Sequence, residues 1–213
     1  MEFKNKQLFF TFVHPFTCMV AGPTSSGKTV LVKSLIENHK YVFSGFNASP
    51  KVLWCHGQMQ EGYQESSLIQ YHEGLIDDPS GFDLIVVDDL MNELGCDNRL
   101  LNLFTKGSHH MNISVIFIVQ NIFHQAKNMR GISLNCQYLI IMKNPRDKSQ
   151  IHCLARQIYP TKSARLIKAY EDATKEPFSY LKIDLTPKTP DYLRIQTQIV
   201  RKTAKHEVTV YEI

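Results

Sequence analysis

Between Val52 and Asn98 the chain has no lysine or arginine. Nowhere does it carry an uncharged apolar run approaching the ~18 residues that a membrane helix needs. The opening MEFKNKQLFF also lacks a signal-peptide layout, so neither a membrane span nor secretion is expected. Five cysteines (Cys18, Cys55, Cys96, Cys136 and Cys153) are odd in number and form no CxxC pair. That excludes a disulfide framework and a thiolate zinc site, and it points to reduced thiols in an intracellular compartment. All five are expected to pack as small hydrophobes. No repeat and no low-complexity linker interrupts the chain. With 213 residues, 43% apolar and 21% charged, collagen, coiled coil and wholesale disorder are excluded. One domain over residues 1–200 is the simplest organisation, with 201–213 as a loose tail.

The net charge of +4 hides an asymmetry. The segment without basic residues holds ten carboxylates, whereas Arg99 to the C-terminus has eighteen basic and eight acidic residues. A basic second half could face a polyanion. These Lys and Arg are dispersed, however, so a solvated surface fits as well.

Several short apolar runs read as strands: 16–21 (FTCMVA), 51–55 (KVLWC), 84–87 (LIVV), 114–119 (SVIFIV) and 138–142 (YLIIM). They are continuous instead of alternating, the pattern of a mostly parallel sheet covered by helices on both faces. Helices are expected at 28–39, 97–106, after Asp147 up to Pro160, and 161–173. Asp147 with Gln150 suits a helix start, and Ile151, Leu154, Ala155 and Ile158 recur at helical spacing. Residues 178–185 and 192–200 read as late strands, while 56–82 is too polar to assign.

The chemistry centres on Gly22-Pro23-Thr24-Ser25-Ser26-Gly27-Lys28-Thr29, a full G-x-x-x-x-G-K-[ST] match between a strand and a helix. Its glycines let the backbone wrap, so that N–H groups and the helix N-terminus face phosphate oxygens. Lys28 reaches the β- and γ-phosphates, and Thr29 offers a hydroxyl to Mg²⁺. The second half of the site needs a carboxylate at the end of a buried strand, and the run 83–89 (DLIVVDD) ends in two acids. Asp88 suits Mg²⁺, and Asp89 suits a base for the attacking water. No N-K-x-D guanine motif is present, so ATP is the expected nucleotide. Gln120 ends the strand that follows Asp88. On a strand inserted between those of the loop and Asp88, its amide would sit beside the γ-phosphate; equally, it could cap a loop. The adjacent His109 and His110 point in different directions on a helix and lack ligand-spaced partners, so they shape a turn or face DNA sooner than they bind metal. Phe10, Phe12, Phe16, Tyr170 and Tyr180 read as core.

These motifs resemble the FtsK/HerA superfamily of DNA-pumping ATPases. The blocks GPTSSGKT (22–29), LIVVDDLM (84–91), LFTKGSHHMNISVIFIVQNIF (103–123), RGISLN (130–135), KNPRDKSQIHCLARQIYP (143–160) and FSYLKIDL (178–185) narrow the likeness. They look like the genome-packaging ATPases of Polinton/Maverick elements and adintoviruses, relatives of the poxvirus packaging ATPase. The resemblance implies an α/β P-loop NTPase fold of the additional-strand (ASCE) type, a three-layer sandwich with Gln120's strand beside the loop strand. It implies ATP and Mg²⁺ as ligands and a homo-oligomeric ring, pentamer or hexamer. The ring would thread double-stranded DNA, without sequence specificity, into a capsid or portal vertex in the host nucleus, in a cytoplasmic virus factory or on the virion. The superfamily more often has Glu where this chain has Asp89, and the shorter side chain must sit closer to the water. In ring motors a neighbour's Arg completes the site; Arg130 and Arg146 are the candidates, with Lys106 a third. Asp147 beside Arg146 offers a structural ion pair instead. Contacts to DNA should run from Lys or Arg to phosphate, and Lys127, Lys143 and Lys148 are candidates. Two other readings of the loop stand beside the motor: a small-molecule kinase, for which no Arg-rich lid is found, and a binding module with little turnover.

Overall fold

The computed structural model describes residues 10–57, 67–88, 90, 98–107, 111–123, 128–200, 203 and 207–213. A short ribbon pairs β1 (Phe12–Val13) in parallel with β3 (Phe43–Ser44). The main sheet contains β2 (Thr17–Ala21), β4 (Val52–His56), β5 (Ile69–Glu73), β6 (Leu84–Asp88), β7 (Ser114–Val119), β8 (Tyr138–Met142), β9 (Tyr180–Asp184), β10 (Ile195–Thr197) and β11 (Thr209–Tyr211). Its order is β11-β10-β9-β8-β2-β7-β6-β4-β5. From β8 to β5 all neighbours are parallel; β9, β10 and β11 then pair antiparallel at the other edge.

Every residue of β2, β4, β6, β7 and β8 is buried, which explains why these strands read as unbroken apolar runs. Alternate side chains go to opposite cores. Met19, Leu53, Ile85, Val115 and Phe117 join one cluster; Cys18, Val20, Trp54, Val86 and Ile116 join the other. Against the second cluster lies α1 (Lys28–Glu37), through Leu31, Val32, Leu35 and Ile36. Leu35 and Ile36 are fully buried, and truncating either to Ala costs about 2–5 kcal/mol. The short α2 (His39–Val42) follows on that side. Against the first cluster lie α3 (Asn98–Asn102), α4 (Met129–Leu134), α5 (Ser149–Ile158) and α6 (Ser163–Ala173). The result is three layers, helix–sheet–helix, the expected α/β sandwich.

Four local expectations need correction. The helix expected over 97–106 is α-helical only to Asn102 and widens into a π turn over Leu103–Gly107. There the Thr105 hydroxyl donates to the Leu101 carbonyl at 2.8 Å, competing with the regular ladder. The polar stretch 56–82 contains β5, an edge strand with only Ile69 buried, so it carries no apolar run. The loose tail expected after residue 200 is not loose throughout: β11 pairs with β10, and Ile213 packs into the core. Finally, Cys18, Cys55 and Cys136 are buried free thiols, but Cys153 is half-exposed on α5. Cys96 lies outside the described residues.

Candidate nucleotide-binding site

The parallel register sets the site. Ala21 pairs with Val119, and Asp88 pairs with Ile118, so the ends of β2, β6 and β7 lie side by side. β7 stands between the other two, the position expected for an additional strand. Gly22–Thr29 leaves the end of β2 and opens α1. Gly27 takes φ +92°, a left-handed conformation that costs glycine little. Ser25 also turns left-handed at φ +62°. Gly22 is required for a different reason: a Cβ there would stand 2.6 Å from Met142 Cβ and 2.8 Å from Ser26 Oγ. Close approach of β8 to the loop therefore leaves room only for hydrogen.

A cavity of about 800 Å³ opens at this edge, lined by Thr24 to Leu31, Ser34, Asp88, Ile118 to Gln120, Phe178, Tyr180 and Val200. Lys28 Nζ donates to the Gly22 and Pro23 carbonyls at 2.7 and 2.8 Å, folding its ammonium over the loop. The Thr29 hydroxyl donates to Asp88 Oδ2 at 3.1 Å, and Asp88 is buried. Lys33, one helical turn beyond Thr29, lies 5.8 and 5.7 Å from the Trp54 and Tyr71 ring centroids. Burial pulls its pKa below the ordinary lysine value, and the negative field of Asp88 partly opposes that. Gln120 follows β7 directly and lines the cavity with an exposed side chain.

The donor set fits a nucleotide. Ser26 Oγ is buried and finds no hydrogen-bond partner among the described residues, which is costly unless a ligand oxygen satisfies it. The backbone N–H groups at the start of α1 and the Lys28 ammonium are the other donors for phosphate. Thr29 and Asp88 supply a hydroxyl and a carboxylate oxygen, hard donors of the kind Mg²⁺ takes beside substrate phosphates and water.

Of the residues expected from sequence, the fold therefore brings Gly22 to Thr29, Asp88 and Gln120 together. Asp89, Lys127, His109 and His110 lie outside the described residues, as does the Lys106 side chain. Arg130 is exposed on α4, and Arg146 is exposed in the loop between β8 and α5; neither lines the cavity. No ion pair joins Arg146 to Asp147 among the described residues. The Asp147 carboxylate instead accepts from Ser149 and Gln150, and these bonds hold its pKa below the usual carboxylate value. Gln150 in turn accepts from the Ile122 N–H at 3.2 Å, tying the segment after Gln120 to the start of α5. Lys143 donates to the Lys175 carbonyl, and Lys148 meets Glu171 at 3.4 Å. That exposed pair is worth about 0–1 kcal/mol and leaves Lys148 able to exchange partners.

Sequence reasoning missed the far wall of the cavity, Phe178, Tyr180 and Val200, which β9 and the segment after β10 deliver. Residues 178–185 and 192–200 read only as strands, and nothing in their spacing points to a loop 150 residues upstream.

The fold is that of an additional-strand P-loop NTPase. No protein family and no curated protein sequence matches the chain. Among solved structures it is similar to the genome packaging NTPase B204 from Sulfolobus turreted icosahedral virus 2 in complex with sulfate. The TM-score is 0.54 at 13% identity, over 86% of this chain and 95% of that one. The complex of the same NTPase with AMPPCP gives a TM-score of 0.54 at 12% identity, over 86% and 96% of the two chains. B204, the DNA-packaging ATPase from Sulfolobus Turreted Icosahedral Virus, gives 0.54 at 11% identity, over 86% and 97%. At these identities the likeness is one of fold. Among the described residues no helix is long and apolar enough to cross a membrane.

Proposed function

We propose that the chain is an ATP-hydrolysing motor that moves double-stranded DNA into a viral capsid. The observation that carries this reading is the convergence of Lys28, Thr29, Asp88 and Gln120 on one cavity at the ends of three adjacent parallel strands. The packaging-type sequence blocks and the likeness to B204 support the choice among P-loop functions.

In this reading the loop amides, Ser26 Oγ and Lys28 hold the triphosphate, while Thr29 and Asp88 hold Mg²⁺. When bound, the ion supplies neutralising charge for the β- and γ-oxygens. Asp89 accepts a proton from water as its oxygen attacks the γ-phosphorus, and the bond to the bridging oxygen breaks to release ADP. Gln120 orients that water. A neighbouring subunit's Arg130, or in its place Arg146, stabilises the charge that develops, a contribution of ~10³–10⁵ in other P-loop enzymes. Five or six subunits form the ring that such sharing requires. DNA is gripped through its phosphates by the basic second half, with Lys127, Lys143 and Lys148 as contacts. The element is of the Polinton/Maverick or adintovirus type, and packaging takes place in the host nucleus or a cytoplasmic factory.

The test is steady-state ATP hydrolysis with and without duplex DNA. Stimulation by DNA of any sequence is expected, fading as salt rises because counterion release drives phosphate contacts. Hydrolysis indifferent to DNA would overturn the motor, and phosphate transfer to an added small acceptor would favour the kinase.

A further inference from the structure

The cavity lining is mixed: Lys28, Thr29, Asp88 and Gln120 are polar, whereas Val30, Leu31, Ile118, Val119, Phe178, Tyr180 and Val200 are apolar. Two of the apolar residues are out of place by the logic of burial: Val30 is 69% exposed and Phe178 is 67% exposed. Phe178 is also out of place by backbone. It sits at φ +61°, a left-handed conformation that bulky side chains rarely adopt. A strained backbone that holds an aromatic ring in the open contributes nothing to the core, and such outliers cluster at ligand sites.

The ring is held against the phosphate loop. A Cβ placed on Gly27 would stand 3.2 Å from Phe178 Cδ1. The sheet fixes that approach, because β9 begins at Tyr180 opposite Met142, and β8 pairs with β2, whose end carries the loop. The Lys143 N–H donates to the Ser179 carbonyl at 3.0 Å, pinning the residue after Phe178 to the end of β8. Thr197 Oγ1 donates to the Tyr180 carbonyl at 2.6 Å and brings the chain leading to Val200 to the same edge. The position of the ring is therefore built by β8, β9 and β10, beside the strand that carries the loop.

We infer that Phe178 is the stacking platform for the purine base of the bound nucleoside triphosphate, in a cavity that Val30 and Val200 also line. This rests on the nucleotide site proposed above and adds the part of the ligand that the phosphate loop does not read. Stacking on an aromatic ring uses the π-face that every purine offers, so Phe178 contributes affinity without reading the base edge.

The test compares binding of ATP and of inorganic triphosphate to the full chain in magnesium buffer, by calorimetry. Phe178→Leu keeps apolar bulk and removes the aromatic face; Phe178→Trp keeps the face. Phe178→Leu should weaken ATP binding about tenfold, the scale of one base–aromatic stack. Its affinity for triphosphate should not change, and Phe178→Trp should bind ATP as the parent does. Phe178→Gly should also lose ATP affinity, while melting no lower than the parent because glycine accepts the left-handed backbone. Unchanged ATP affinity in Phe178→Leu would overturn the proposal. So would an equal loss for ATP and triphosphate, which would make the ring a prop for the loop. A parent chain that binds neither ligand would instead overturn the nucleotide site itself, and the stacking role with it.

Discussion

The two halves of the sheet bury polar groups in opposite ways. In the parallel half, β2, β4, β6 and β7, the interior of each strand is apolar, and the buried polar residues Thr17, His56, Asp88 and Ser114 stand at strand ends. The carboxylate appears only at the end of β6, where Asp88 meets Thr29. In the antiparallel half, β9 and β10 bury Lys182, Asp184, Gln196 and Thr197. Those groups find partners within the fold: Lys182 Nζ donates to Gln196 Oε1 at 3.0 Å, the Asp184 carboxylate accepts from Thr186 and Thr189, and the Thr197 hydroxyl donates to the Tyr180 carbonyl. The Lys182 ammonium also lies 4.6 Å from the Phe12 ring centroid and 5.0 Å from that of Tyr138. Asp88, at the cavity end of its parallel strand, is open to a ligand, whereas the polar groups of β9 and β10 are committed to the fold. Changes to the polar groups at the cavity should therefore alter turnover with little effect on stability, and changes to those buried in β9 and β10 should do the reverse.

The largest expected effect is at Asp89. Asp89→Asn keeps the shape and loses the base, so ATP should still bind while hydrolysis slows by about 10²–10⁴-fold, read by steady-state phosphate release. Hydrolysis at the parent rate would assign water activation to another carboxylate. Next comes Lys28→Ala, with turnover down by at least about 10²–10³-fold, ATP binding weakened and the melting temperature unchanged. Wild-type-like turnover would remove the loop from the site.

The third effect belongs to the antiparallel half. Burial drops the Lys182 pKa from 10.5 to about 8, opposed by Asp184 and Cys18. Between these values the unfolded chain binds more protons than the folded one, so this lysine makes stability rise with pH through that window. Below pH 8 both states are protonated and the full burial penalty is present. The stability of Lys182→Met relative to the parent should accordingly fall by about 3 kcal/mol from pH 7 to 10.5, measured by denaturant melts, with ATPase activity intact. A difference that stays flat with pH would show that Lys182 is not held against its charge. The smallest effect tests the joint between the halves. Gly22→Ala pushes into Met142 of β8, costing about 1–3 kcal/mol by overpacking, and it should lower both stability and ATP affinity. Loss of only one of the two would mean that the halves are not coupled there.

The same contrast decides what the sequence made legible. The fully buried parallel strands were readable because burial on both faces demands unbroken apolar runs, and β2, β6 and β7 end at the candidate site. Thus the loop, Asp88 and Gln120 could be named before any topology was known. β5 could not be read, because an edge strand of sequence IQYHE carries no apolar run and buries only Ile69. β11 escaped for a similar reason, with three residues and none of them buried. The apolar wall at Phe178 was legible only as part of a strand, since its meaning depends on β9 running antiparallel to β8. Local spacing does not encode that turn. Buried Lys182 read as one more surface cation, because the sequence gives no sign that Gln196 and two rings surround it.

The most direct test of the central claim is displacement of a third strand from a duplex track by the purified chain with ATP and Mg²⁺. A packaging motor displaces the third strand on any duplex sequence in an ATP-dependent way, and this is lost in Lys28→Ala and in high salt. ATP hydrolysis that proceeds on the same DNA without displacing the third strand would contradict it, leaving an ATPase that does not move along DNA.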